Sequence, residues 1–361
     1  MAKKLAFDHV LFTALVLLVG LGLVMVYSAS AAIAQESGDG ANPFLVKQAV
    51  AAAIGLVLMA VVMHLDYQLL RRPAIVYTLL GGVVALLVGV LFAPALNQTH
   101  RWLFVAGISV QPSELAKLAL VPFLAYQLDR KPERVSQADV LVPALGATAV
   151  MAGLVLLEPH LSAALLLVLV AGLMLFLAGL SWRWLAGAAA LALPALAIAV
   201  WAAPYRRARL FAFLDPEKDP LGSGFQAMQS LIAVGSGGVL GRGLGHGVQK
   251  LYFLPYPHTD YIFSILAEEL GLVGSLGVLA LLGVLAWRGL RAGLRARDPL
   301  GRYLAWGFTG LLVVQSLLHC SVALSMLPST GIPLPFMTYG GSALVSSLVA
   351  AGVVLNVSQH G

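Results

Sequence analysis

Long apolar runs alternate along the chain with short polar breaks. A helix needs about 20 apolar residues to cross the hydrocarbon of a bilayer. Ten such runs are predicted, at 9–31, 44–64, 74–94, 112–128, 138–157, 160–180, 184–202, 260–287, 303–325 and 340–357. Residues 204–259, between the seventh and eighth, form one long loop. The first run follows Lys3 and Lys4 and ends in small residues, as a secretory signal would. Its apolar core, Val10 to Val26, exceeds the roughly 7–15 residues of a signal core, so it reads as a retained span.

Composition agrees with this pattern. Hydrophobic residues make up 60% of the 361 and charged residues 11%. No soluble core hides that much apolar surface, so the bilayer must solvate most of the chain. The expected fold is an all-α polytopic membrane protein, a single integral membrane domain over 1–361. The loop 204–259 lacks the apolar content for a core of its own. The lone Cys320 excludes an internal disulfide and any Cys-based metal site.

Charge sets the orientation. With the N-terminus in the cytoplasm, that side holds Lys3, Lys4, Arg71, Arg72, Arg130, Lys131, Arg134, Arg183, Arg288, Arg291, Arg295, Arg297 and Arg302. Both termini are then cytoplasmic, in line with the positive-inside rule. The loop 204–259 departs from this. It carries Arg206, Arg207, Arg209, Lys218, Arg242 and Lys250 against Asp215, Glu217 and Asp219, a net +3 on the outer side. Long loops cross regardless of charge, and this excess calls for an anionic partner outside.

Few charges interrupt the spans, and each is costly there. "QPSELAK" puts Glu114 and Lys117 three residues apart on one helix face, as a neutralising pair or as the polar wall of a cavity. "AEELG" puts Glu268 and Glu269 in the eighth span. Neighbouring helical residues point about 100° apart, so the two are not expected to face one groove. Asp260 opens that span in "HTDYIF", with His258 beside it as an orienting or solvated side chain. Thr259 and Asp260 suit a helix N-cap, but a carboxylate at a helix N-terminus is also held ionised and can accept a proton. Both readings stand. "GSGGVLGRGLGHG" has seven glycines in 13 residues. No strand-turn-helix frames it, so a dinucleotide site is excluded. It reads either as a cradle of backbone amides for phosphate, with Arg242 inside it, or as a re-entrant loop packed on the helices.

Taken in order, "YSAS", "RWLFVAGISVQPSELAK", "GSGFQAMQS", "GSGGVLGRGLG", "HTDYIF…EELGLVG" and "LPSTGIPLPFMTYGGS" resemble the SEDS family, the shape, elongation, division and sporulation proteins. The resemblance spans nearly the whole chain. The short tails favour the elongation branch, RodA, while "YSAS" and the Glu-Pro of "EPHLS" favour the division branch, FtsW. The resemblance implies a peptidoglycan glycosyltransferase that polymerises lipid II outside the membrane, with a class B penicillin-binding protein as transpeptidase partner. It implies that Asp260 is catalytic and that Glu114 and Lys117 line a cavity. Arg101, Gln226 and Ser342, from the other motifs, join His258 and Glu268 as cavity residues. Arg206, Arg207, Arg209, Arg242 and Lys250 become candidate contacts for the diphosphate, and a groove between helices would hold the lipid tail. A divalent cation, Mg or Mn, can sit on that diphosphate, although the sequence offers no dedicated cage. In "EPHLS", His160 and Ser162 replace the family's usual acid and glycine, so the role of that acid does not transfer. Two other functions fit the same spans: a lipid II flippase, and an ion-coupled transporter, which would require matching broken helices in two halves.

Overall fold

The computed structural model describes residues 7–36, 42–94, 101–105, 108–131, 133, 135–215 and 224–360. Lys3, Lys4, Arg134, Glu217, Lys218 and Asp219 lie outside the described residues. Ten long helices follow the ten predicted spans: α1 (His9–Glu36), α2 (Pro43–His64), α3 (Pro73–Leu91), α4 (Pro112–Arg130), α5 (Ala138–Leu157), α6 (Leu161–Leu177), α7 (Trp182–Trp201), α10 (Ile262–Arg295), α11 (Pro299–Ala323) and α12 (Gly341–Ser358). Two shorter helices, α8 (Pro204–Leu214) and α9 (Phe225–Ser236), lie in the long loop. Eight of the ten are long and apolar enough to cross a membrane by length and composition. The other two are α6, which has 17 residues, and α4, which carries Glu114, Lys117, Asp129 and Arg130.

Burial ranks the helices. α4 stands at the centre, with 15 of its 19 residues buried, Ser113, Glu114, Lys117 and Gln127 among them. Its neighbours α11 and α12 are mostly buried, whereas α7 has no buried residue. Small residues let α2 and α12 approach closely, as expected where lipid gives helices no hydrophobic drive to associate. A Cβ at Gly55 would fall 2.5 Å from the Leu348 side chain, and one at Gly352 would fall 3.0 Å from the Met59 carbonyl. α1 belongs to this bundle: Asp8, just before it, pairs with Arg288 at 2.6 Å and its Ser28 reaches Glu269.

One small sheet was not anticipated. Strands β1 (Leu103–Val105) and β2 (Ile108–Val110) pair antiparallel, with Leu103 opposite Val110. The Ser342 hydroxyl ties this hairpin to the start of α12, donating to the Ser109 carbonyl at 3.0 Å and accepting from the Gln111 amide at 3.2 Å.

The eighth span differs from its prediction. It starts at Ile262, runs to Arg295 and breaks at Gly271, whose φ of 66° and ψ of −162° are not helical. A break inside a span leaves backbone groups unpaired, at a cost of several kcal/mol each in lipid. Here the glycine-rich loop supplies four partners, and Ser275 Oγ donates to the Gly271 carbonyl at 2.9 Å. The Arg242 and Gly243 amides donate to the Glu268 and Glu269 carbonyls, both at 3.0 Å. The Leu272 and Val273 amides donate to the Gly238 and Val239 carbonyls, at 2.9 and 3.1 Å. The contact leaves no room for side chains. A Cβ on Gly237 would lie 2.0 Å from the Ala267 carbonyl oxygen, and one on Gly241 2.2 Å from that of Glu269. Of the two readings of the glycine run, the structure shows the loop packed on a helix.

Buried charges fasten the same splice. Glu269 accepts from Lys250 Nζ at 2.6 Å, from Ser28 Oγ at 2.7 Å and from the Gly245 amide at 3.0 Å. Glu268 accepts from the Val248 amide at 2.8 Å and from Gln249 at 3.2 Å. The expectation that the two carboxylates diverge is therefore corrected. Both reach the loop, and a Cβ on Gly247 would lie 3.0 Å from each. The 100° rule assumes a neighbour on one side only, whereas this loop wraps the helix just before its break.

Two outcomes test the splice. Gly241→Ala is expected to lower the thermal midpoint in detergent far more than Gly245→Ala. Gly245 shares a positive φ but faces open space, so its substitution costs only about 1–2 kcal/mol. Lys250→Met or Glu269→Gln alone should destabilise by roughly 3–5 kcal/mol, by stranding the partner's charge or polar group. The double substitution should cost less than the sum of the two, as measured in the same melts.

Candidate active site

Asp260 sits in the chain between the splice and α10. It is not the helix cap. Tyr261 occupies that position and caps with no side-chain bond. The reason is local: the amides of Ser264 and Ile265 bond to the Tyr261 carbonyl, so the helix begins one residue beyond the carboxylate. The Asp260 side chain is left half-buried and free of capping duty. Its backbone is fixed by the far loop, where the Tyr339 amide donates to the His258 carbonyl at 3.0 Å and Thr338 Oγ1 to the Thr259 carbonyl at 3.4 Å. Gly331, at φ +68°, lets that loop pass close by: a Cβ there would stand 3.7 Å from Asp260 Oδ2.

Burial raises the Asp260 pKa above the ordinary carboxylate range, while Arg209, a bond from Thr259 and Arg101 pull it back down. Arg209 comes from α8 and donates to the Ser329 carbonyl at 3.3 Å. Arg101 enters just before β1 and donates to the Glu158 carbonyl at 3.0 Å and to that of Pro159. Ser162 Oγ donates to the Thr330 carbonyl at 2.7 Å, joining the "EPHLS" turn to the 327–342 loop. Three sequence-distant segments thus meet around one carboxylate, and two of them bring an arginine.

Two residues of the "EPHLS" turn join this group, and the sequence reading gave neither a role. Glu158 is fully buried, with neither carboxylate oxygen hydrogen-bonded, and burial pushes its pKa up to about 8 despite Arg101 nearby. His160 is buried, with Nδ1 3.4 Å from both Gln111 Nε2 and Ser113 Oγ. Burial, followed by the charges of Arg101, Lys117 and Arg209, lowers its pKa to about 3, so the ring is neutral. The sequence signals for these residues were the position of the turn beside a span end and the departure of His160 from the acid usual in the resembling family.

The remaining predicted residues fall into separate groups. Glu114 and Lys117 form a buried pair at 2.7 Å on α4, with Ser346 donating to Glu114 at 2.7 Å and Lys117 donating to Gln315 Oε1 at 2.8 Å. His258 is buried against Phe44 and Tyr339, at ring distances of 4.8 and 5.6 Å, rather than solvated, and burial lowers its pKa to about 4. Gln226 lines a small pocket with Arg209, Phe213, Tyr261, Ser325 and Ser329, to which Asp260 itself does not contribute. Lys250, Glu268 and Arg242 belong to the splice. Arg242 lies 3.8 Å from Glu268 with its side chain largely exposed. Ser342 anchors the hairpin. Among the described residues no group of three or more His, Cys, Asp or Glu side chains could hold a metal ion.

On the membrane side, α5, α6 and α7 enclose an apolar groove of about 630 Å³, lined by residues such as Leu156, Leu165, Leu169, Leu173, Leu193 and Leu196. It runs from the end of the bundle where α5 gives way to Glu158.

Residues 8–361 match the family of cell cycle proteins typified by FtsW, RodA and SpoVE. A probable peptidoglycan glycosyltransferase FtsW of Geobacter metallireducens is 42% identical over 359 residues, covering 98% of this chain and 95% of that protein. Stage V sporulation protein E of Bacillus subtilis is 39% identical over 362 residues, covering 99% and 98%. Among solved structures, a chain from a peptidoglycan synthase complex studied for its coordination of polymerization and crosslinking superposes with a TM-score of 0.80 at 37% identity, covering 98% of each chain. The rod shape determining protein RodA of Thermus thermophilus superposes at 0.72 with 32% identity, covering 98% of this chain and 97% of that one. The relatives' names thus include the division and sporulation branches, where the short tails favoured the elongation branch. The chain is a polytopic helical membrane protein of the FtsW, RodA and SpoVE family, the SEDS family that its motifs resemble.

Proposed function

We propose that this protein is a peptidoglycan glycosyltransferase that polymerises lipid II into glycan strands at the outer face of the cytoplasmic membrane, with Asp260 as general base. The single observation behind this reading is the setting of Asp260: a half-buried carboxylate, free of helix capping, within electrostatic reach of Arg209 and Arg101. The reaction needs one base and one cationic surface. The acceptor sugar's 4-hydroxyl attacks the anomeric carbon of the donor, and its proton passes to Asp260. The carbon–oxygen bond to the undecaprenyl diphosphate breaks, and that diphosphate leaves with the electron pair. One displacement converts an α-linked donor into a β-linked product. Arg209, with Arg101 behind it, supplies positive charge for the leaving diphosphate.

The apolar groove between α5, α6 and α7 suits a polyprenyl tail, because it opens towards the lipid and ends near the "EPHLS" turn. Gln226, in the small pocket that also holds Arg209 and Tyr261, offers a polar wall for the sugar. The partner is a class B penicillin-binding protein that crosslinks the emerging strand. This parallels the structural relative from a complex that coordinates polymerization with crosslinking. Both termini lie in the cytoplasm, so Asp260 faces the outside.

The purified protein, given lipid II and a cognate transpeptidase, should make long glycan visible on a gel, and Asp260→Asn should make none. Equal polymer from both would remove Asp260 from the chemistry. The pH profile offers a second test. A base works deprotonated, so activity should fall as pH drops through the pKa of Asp260, which burial raises. The acid limb should therefore lie above the ordinary aspartate value of about 3.9. Arg209 lowers that pKa, so Arg209→Gln should move the limb to higher pH as well as slow turnover.

A further inference from the structure

From Pro220 to Thr259 the sequence holds no acidic residue, and its only Lys or Arg are Arg242 and Lys250. Lys250 is buried against Glu269. A water-facing loop of this length would be expected to carry charge, yet apart from Arg242 and His246 its exposed side chains are mostly apolar. Val239, Leu240, Leu244, Leu251, Tyr252 and Phe253 are all exposed, Leu240 to 80%. α9 adds Leu231 and Ile232. Contiguous apolar patches larger than a few hundred Å² are rare on surfaces that meet water.

Two observations identify what covers this face. The first is continuity. The splice sets Gly238 and Val239 alongside Leu272 and Val273 of α10, which are themselves exposed on a membrane-spanning helix together with Leu276. The loop thus prolongs the lipid-facing surface of α10. The second is depth. Arg288, paired with Asp8, marks the far end of the span. Gly271 lies 17 residues before it, about 26 Å at 1.5 Å per residue and short of the roughly 30 Å hydrocarbon thickness. The helix break, and the loop bonded into it, therefore fall within the bilayer's edge. Irregular backbone persists at that depth only when packed on protein.

We propose that residues 231–256 form a re-entrant wedge seated in the leaflet on the Asp260 side, its apolar face against acyl chains and Arg242 reaching to the headgroups. The partner of this surface is phospholipid, and the claim does not depend on which residue is the base. The wedge sets Asp260 at the plane where a lipid-borne headgroup arrives.

Native Cys320 is buried, so a cysteine introduced at an exposed position takes up a thiol-reactive fluorophore selectively. Leu240→Cys and Phe253→Cys are labelled with an environment-sensitive dye in phosphatidylcholine vesicles, with Leu276→Cys on α10 as the lipid-facing benchmark. Both positions should be quenched several-fold more strongly by lipid carrying a shallow nitroxide than by aqueous iodide, as at Leu276. Stronger quenching by iodide would place the face in water and overturn the proposal. Quenching by neither would mean that protein covers it, in a second copy or a partner, and would overturn it equally.

Discussion

Peptide groups inside a bilayer must find partners, and this protein meets that constraint at Gly271 by borrowing another segment's backbone. Four peptide groups that a continuous α10 would join in two hydrogen bonds of its own make four bonds with residues 238–243 instead. Much of the architecture around it follows. The loop must run close along the helix, so it must be rich in glycine. It needs fixing, so Glu268 and Glu269 are buried and satisfied by its amides and by Lys250. Ser28 brings α1 into the same cluster. The chain leaving the cluster then turns through Leu254, which is buried, and delivers Asp260 to the top of α10.

Seen from the carboxylate, its position is determined twice. On one side the splice fixes residues 237–250. On the other, the 327–342 loop bonds to the backbone of residues 258 and 259, and Gly331 leaves space beside the side chain. α8 then brings Arg209, and the hairpin between α3 and α4 brings Arg101. None of these segments is near another in sequence. The arginines sit close enough to influence the titration of Asp260 yet are held by backbone carbonyls, and among the described residues none forms a salt bridge with the carboxylate.

How much of this the sequence disclosed depended on the range of the interaction. The spans were legible because each is a local apolar run, and Asp260, Glu114 and Lys117 stood out as rare charges at span ends or within spans. The break at Gly271 was not legible: a glycine in an apolar helix is ordinary, and what distinguishes this one is backbone pairing with a segment some 30 residues away. The diverging faces expected of Glu268 and Glu269 failed for the same reason. Thr259 and Asp260 have the chemistry of caps, yet the helix starts beyond them. Glu158 gave little signal as an acid at a turn, and its significance lies in the absence of any partner in the fold.

α7 has a consequence of a different kind. With none of its 20 residues buried, it contributes little cohesion to the bundle and is retained mainly by its covalent connections to α6 and α8. Swinging it outward would disrupt few side-chain contacts. The wall of the apolar groove is therefore its most loosely held part, and a long hydrocarbon chain could enter from the side without the helical centre rearranging.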